Sequence, residues 1–266
     1  MLVFVIPLKS PKVSKSWELV SKLLERTLKS VCNQTSSDFR VIVVCHQKPQ
    51  IEFNHPHITY IEVDFPIPGQ DYQSKSLDKG RKILHGLFYA REFNPSHTMV
   101  VDADDCVSKH LAKFVTQNPQ SNGWFFNPGY VYQTGKKLIY FRKKAFNKLC
   151  GTSNIIRYDL HKLPDDINQD YPELNKYYDN HSHVEDQMVK RGNPLEPLPF
   201  IGAIYIIGNQ ENIYLQGDSM FMDKNKDKGI LWKIKYFLNY RLFTKSIREE
   251  FGFYDMILLS NITSEL

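Results

Sequence analysis

Three carboxylates stand within four positions where the apolar run of MVVDADD ends, at Asp102, Asp104 and Asp105. On an extended backbone successive side chains alternate faces, so Asp102 and Asp104 would point the same way. Two like charges held side by side repel each other, and a divalent cation relieves them. Oxygen-only ligands favour Mg²⁺ or Mn²⁺ over zinc. Aspartate is also common in solvated turns after strands, but three in four positions exceed what a turn requires.

These acids need a frame that presents them. Residues 2 to 8 (LVFVIPL) form an apolar, β-branched run ended by proline, the pattern of a strand buried on both faces. From Ser14 to about Val31, Trp17, Val20, Leu24, Leu28 and Val31 recur at helical steps, with Ser14 or Ser16 as N-cap. FRVIVVCH and ITYIEV read as two more strands, a helix runs from about Ser76 to Glu92, and HTMVVDADD is the next strand. This order predicts an α/β fold with a mostly parallel central sheet flanked by helices, where ligands bind beyond the carboxyl ends of the strands. Past Ser108, a short helix to about Thr116 leads into GWFFNPGYVYQ and KLIYFRK, two alternating aromatic stretches that read as an antiparallel hairpin. Leu160 to Tyr178 is polar and reads as a loop or lid. HVEDQMVKRG reads as a short helix closed by Gly192, and PFIGAIYIIG as a late strand. In CGTSNIIRY, Arg157 is either a diphosphate or acceptor contact or part of a tight turn before a strand.

Two enzyme classes place Asp-x-Asp after a buried strand. In haloacid dehalogenase-like phosphatases the first Asp is a phosphoryl-accepting nucleophile. That pattern continues with Thr or Val two places after the second Asp, where this chain has Cys106, and Asp165 and Asp166 lack an apolar strand to present them. The other class matches more broadly. FVIPLKS, TLKSVCNQT, FRVIVVCH, DKGRK and VVDADD together resemble the donor-binding half of the GT-A-fold nucleotide-sugar glycosyltransferases, family-two type, over residues 1 to 110.

That resemblance implies a Rossmann-like GT-A domain and a metal-dependent glycosyltransferase. Such an enzyme moves a hexose from a nucleotide-diphosphate sugar, a UDP-sugar being favoured, to a hydroxyl of a saccharide or lipid-linked acceptor, with inversion. It implies that Asp102 approaches the donor ribose and that Asp104 binds the Mn²⁺ or Mg²⁺ bridging the diphosphate, with Asp102 and Asp105 beside it. Pro7 and Leu8 would line the base, and Asp78 and Lys79 would meet base or phosphates. The family's acid after the second strand is replaced here by CHQKP, which passes uracil recognition to Asp64 or Asp78. Its late histidine ligand is missing, so water, the donor phosphates or His183 complete the metal shell. Glu185 and Asp186 fall 83 and 84 residues past Asp102, where the family carries an acidic pair whose Asp deprotonates the acceptor. A helix macrodipole also favours acids in a first turn. A degenerate module that binds sugars or nucleotides without turnover is the non-enzymatic alternative.

Composition sets the outer limits. The 266 residues are 42% hydrophobic and 24% charged, which excludes disordered and coiled-coil chains. A formal charge of +5, evenly mixed, excludes a nucleic-acid coat. Four scattered cysteines without a CxxC pair fit reduced thiols in a cytoplasmic protein. The opening MLVFVIPLKS reads as a strand and not a signal peptide, and no apolar window is long enough to span a membrane. Aromatic residues reach 13%, and Trp124, Phe125, Phe126, Tyr130 and Tyr132 are a candidate sugar platform.

The positive charge sits in the tail. Residues 223 to 248 hold eight Lys or Arg against two Asp, interleaved with apolar residues such as Trp232, Phe237 and Leu238. We therefore divide the chain into a GT-A-type domain over 1–217 (donor half 1–110, acceptor side 111–217) and a basic amphipathic helical extension over 218–266. The extension either lies on an anionic membrane at the inner face, making the protein peripheral, or packs its apolar side on the domain.

Overall fold

A computed structural model describes residues 1–212, 229 and 236–254. Its first half follows the hydrophobic pattern closely. The strands β1 (Leu2–Pro7), β2 (Phe39–Cys45), β3 (Ile58–Glu62) and β4 (His97–Val100) run parallel, with β1 between β2 and β4. All six residues of β1 are buried, because both faces are covered. Leu2, Phe4 and Ile6 pack with Val20, Leu24 and Leu28 of α1 (Trp17–Val31), while Val3 and Val5 pack with Ile83, Leu87 and Ala90 of α2 (Tyr72–Ala90).

Capping fixes where the helices begin. Ser16 Oγ accepts the Leu19 N–H at 3.2 Å, which settles the α1 N-cap. Asp71 accepts the Ser74 N–H at 2.8 Å, so α2 starts a full turn before the expected Ser76.

Past β4 the chain crosses into a second sheet through β5 (Cys106–Val107) and continues into α3 (Leu111–Gln117). The strands β6 (Gly123–Phe125), β7 (Gly129–Gln133), β8 (Leu138–Arg142) and β9 (Asn154–Arg157) follow. Then come α4 (Pro172–Asp179), α5 (Val184–Lys190), β10 (Glu196–Pro197) and β11 (Ala203–Ile207). The first sheet has the order β10-β6-β9-β4-β1-β2-β3, and the second is β12-β8-β7-β11-β5, where β12 is Tyr240–Leu242.

Three expectations change. The hairpin is real only for β7 and β8; Gly123–Phe125 belongs to the first sheet, because Asn127-Pro128 breaks the run between them. The stretch read as a loop or lid contains α4, started by Pro172, whose Leu174 and Tyr178 pack with Leu84 and Phe88 of α2. Gly80 makes this docking possible, since a Cβ there would lie 1.9 Å from the Asn175 carbonyl oxygen. The tail, expected to be helical across 223–248, includes among its described residues a strand at Tyr240–Leu242 and a helix, α6, at Lys245–Glu250. The expected helix over 223–228 and 230–235 lies outside the described residues.

The described tail is built into the core. Phe243, Phe251 and Phe253 pack with Cys106, Tyr132, Ile139 and Ile206, and Ser30 Oγ donates to the Phe251 carbonyl at 2.6 Å. All four cysteines are free thiols. Phe251→Ala should therefore lower unfolding free energy by about 3–5 kcal/mol in urea titration, as for a core aromatic; a change below about 1 kcal/mol would show the tail to be peripheral.

Candidate active site

Because β4 is parallel to β1, Pro7–Leu8 and Val101–Asp105 emerge side by side at one edge of the sheet. The Val101 N–H still donates to the Val5 carbonyl at 2.9 Å; then the backbone turns, with Asp105 N–H donating to the Asp102 carbonyl at 3.1 Å. Asp105 pins this turn. It is wholly buried, its Oδ1 accepts the Ile206 N–H at 2.9 Å, and its Oδ2 accepts the Thr152 hydroxyl at 2.7 Å and the Cys150 thiol at 3.3 Å. Thr152 Oγ1 in turn accepts the Asp102 N–H at 2.9 Å. From α1, Thr27 Oγ1 donates to the Asp105 carbonyl at 2.9 Å and Arg26 Nη2 to the Asp104 carbonyl at 2.7 Å. Burial, then the charges of Asp104 and Asp102, push the Asp105 carboxyl well above the usual range. Its place as a metal ligand is thus corrected: its oxygens are committed to protein donors and it does not line the cavity described next.

Asp102 and Asp104 border a cavity of about 140 Å³ with Pro7, Leu8, Asp78 and Lys79. Lys79 Nζ lies 2.6 Å from Asp102 Oδ1. Desolvation works against this ammonium, but the charges of Asp102 and Asp179 outweigh it and raise its pKa. Asp104 Oδ2 accepts from Asn209 Nδ2 at 2.7 Å and Asn212 Nδ2 at 2.9 Å, both in the loop after β11. Burial, then Asp102, raise the Asp104 pKa. Glu211 of the same loop holds Lys9 Nζ at 2.7 Å and the Ser16 N–H at 2.8 Å. Buried Lys82 donates to Asp78 Oδ2 at 2.6 Å and to the Leu8 carbonyl at 2.8 Å, which leaves Asp78 Oδ1 buried without a hydrogen bond. Gly151 lies against the acids: a Cβ there would be 2.5 Å from Asp102 Oδ2.

A second cavity, about 450 Å³, adjoins the first and shares Tyr72, Ser76, Asp179 and Tyr205 with it. His181 and Lys148 also line it. Ser76 Oγ donates to the Asp179 carboxylate, and burial lowers the His181 pKa. Glu185 and Asp186 open α5 as expected, but neither lines either cavity: Asp186 is exposed and paired with Lys148 Nζ, a residue of the second cavity, at 2.9 Å, and Glu185 Oε2 accepts from Asn147 Nδ2 at 2.9 Å.

Several expected residues lie elsewhere. His183 is exposed and lines neither cavity, and Asp64 is exposed past the end of β3. Arg157 pairs in register with His97 at the start of β4, because β9 is antiparallel; at about 3.3 Å per residue, that is roughly 16 Å from Asp102. There its guanidinium binds Asp159 at 2.7 Å. Trp124 and Phe126 are core residues and make no sugar platform. Asp165 and Asp166 are exposed and outside the cavity, which removes the acidic pair that the phosphatase reading needs.

Other residues were missed. Asn209, Glu211 and Asn212 form a polar cluster directly after the apolar strand AIYII, the same signal that marked DADD. Asp179 and His181 lie just past the stretch read as a loop, between it and the short helix of HVEDQMVKRG. Among the described residues no three His, Cys, Asp or Glu side chains converge as a ready metal cage.

The solved structures to which the chain is similar are distant in sequence. A fragment (1–349) of S. aureus TarS, solved with UDP, is 14% identical over 77% of this chain, with a TM-score of 0.45. This chain spans 60% of that fragment. A nucleotide-diphospho-sugar transferase described from Desulfovibrio desulfuricans is 10% identical, covering 99% of this chain and 95% of that one, with a TM-score of 0.39. The 2-C-methyl-D-erythritol 4-phosphate cytidylyltransferase of Francisella tularensis is 13% identical, covering 85% and 98%, with a TM-score of 0.35. No protein-family model and no curated protein matches the chain.

The pinned turn makes a direct prediction. Asp105→Ala strands the Ile206 N–H and the Thr152 hydroxyl and should cost about 3 kcal/mol or more of stability in chemical unfolding. An unchanged midpoint would disprove the anchoring role.

Proposed function

We propose that this chain is a GT-A-type nucleotide-diphospho-sugar transferase that moves a sugar to a hydroxyl acceptor. One observation carries the reading: a single cavity at the carboxyl ends of β1 and β4 gathers Pro7, Leu8, Asp78, Lys79, Asp102 and Asp104 from three remote segments. This is where open α/β sheets bind ligands. On this reading the base meets Asp78, whose Oδ1 makes no hydrogen bond and lies 3.8 Å from His46 Nε2, and which accepts an N–H such as the imide of uracil offers. Lys79 holds the diphosphate by its charge.

Asp102 and Asp104 are a fitting pair for Mn²⁺ or Mg²⁺, since Asp102 Oδ2 and Asp104 Oδ1 accept no hydrogen bond from the described residues and hard cations take the remaining ligands from phosphate and water. When bound, the metal would neutralise charge on the departing diphosphate. The acceptor enters over the adjoining cavity. Asp186 takes the hydroxyl proton, the acceptor oxygen bonds to the anomeric carbon, and that carbon's bond to the diphosphate breaks with inversion. For this, Lys148 must part from Asp186. The acceptor is a saccharide or lipid-linked hydroxyl.

The test is a panel of nucleotide sugars with Mn²⁺, read as donor hydrolysis or transfer. Asp104→Ala should reduce turnover by about a hundredfold or more, as loss of one charge-stabilising group does. No turnover with any donor, together with nucleotide affinity unchanged in Asp104→Ala, would sink the proposal; metal-dependent binding without turnover would instead mark a binding module.

The Asp186 assignment has its own pH signature. Its hydrogen bond and ion pair with Lys148 lower the Asp186 pKa. In Lys148→Met that support is lost, the pKa rises, and the acid limb of the kcat/KM profile should move to higher pH. An acid limb that stays in place would exclude Asp186 as the base.

A further inference from the structure

The edge of the second sheet carries an apolar surface that the site does not use. In β12, Leu242 pairs in register with Leu138 of β8, and both side chains are exposed, at 67% and 43%. Phe237 and Leu238, just before the strand, are 58% and 68% exposed. Behind them the Tyr140 and Tyr236 rings stack at 4.9 Å, and Tyr240 packs on Tyr140 at 5.3 Å. The surface thus grades from aromatic rings into four protruding apolar side chains. Scattered exposed leucines need no explanation, but a contiguous group at one edge does.

Its charge is one-sided. Among the described residues the groove here is lined by Lys136 and Lys137 and by no Asp or Glu. Arg241 stands on the same short strand and donates to the Leu238 and Tyr240 carbonyls. β12 is only three residues long, too short an edge to template another chain's strand.

We propose that this edge is a docking surface for an anionic lipid bilayer. Phe237, Leu238, Leu242 and Leu138 enter the headgroup boundary, and Lys136, Lys137 and Arg241 meet the phosphates. Apolar burial combined with cationic attraction is the two-signal logic that stable peripheral binding needs. The tyrosines behind suit the interface, with an apolar ring and a polar tip. No described helix is long and apolar enough to cross a membrane, so the contact is with the surface.

The test is flotation of the full chain with phosphatidylcholine vesicles, with and without phosphatidylglycerol. The protein should float only with the anionic vesicles, and less as salt is raised. The double variant Leu238→Asp and Leu242→Asp should lose at least tenfold in bound fraction with unchanged thermal unfolding. Lys137→Glu, a charge reversal at an exposed residue, should lose about tenfold or more, because each cation near an anionic surface contributes measurably. The proposal is overturned by no binding to anionic vesicles, by equal binding to neutral ones, or by full binding in both variants. A dimer in light scattering that the double variant abolishes, with no vesicle binding, overturns it too and assigns the surface to self-association. None of these readouts depends on sugar transfer.

Discussion

The structure around the acids depends on one buried carboxylate. Asp105 sits at the corner where the first sheet hands the chain to the second, and hydrogen bonds reach it from β11 and from the turn before β9. A buried carboxyl is costly unless its lone pairs are used, and here three donors point at it. Because Asp105 turns inward, Asp102 and Asp104 are left on the cavity side. The three acids of DADD therefore divide into an anchor and a facing pair, by packing and not by chemistry alone.

The facing pair is held in a charge pattern that alternates sign. Lys79 stands against Asp102, Lys82 against Asp78, and Lys9 against Glu211. Two amides, with no charge of their own, fix Asp104. Such pairs are partly desolvated, so removing one partner leaves an unpaired charge and costs more than the pair itself contributes. The arrangement is also pre-oriented: an anionic ligand entering beside Lys79 meets a cation already aimed into the cavity. Asp179 adds to the field that keeps this lysine charged, and it stands where the two cavities meet.

Much of this was legible in the sequence, for physical reasons. Strands buried on both faces must be apolar runs, and α1 must show one stripe, so residues 1 to 110 could be read almost element by element. Asp102 and Asp104 were read as sharing a side, although the reason differs: β4 ends at Val100, and a turn, not an extended strand, brings them together. Arg157 was misplaced because antiparallel register is set by partners far along the chain. The helix α4 was hidden because its Asn, Lys and Tyr residues form no clean stripe, and its best signal was indirect. A glycine in mid-helix at Gly80 weakens α2 by about 1 kcal/mol and calls for a close neighbour, which is Asn175.

The tail shows why the charge pattern misled about architecture. Basic residues separated by apolar ones suggested an appended helix, but in the described part alternate positions are spent on packing. Phe243, Phe251 and Phe253 cover Cys106, the neighbour of Asp105. Phe253 also lies under the Arg26 guanidinium, 5.3 Å from its ring centre, while Nη2 of that same arginine holds the Asp104 carbonyl. The cation–π contact and the hydrogen bond share one side chain, so the position of the acidic turn depends on a ring more than 140 residues further along the chain. The residues that the tail turns outward, Leu238 and Leu242, are then the remainder of a segment whose inward side supports the acid corner.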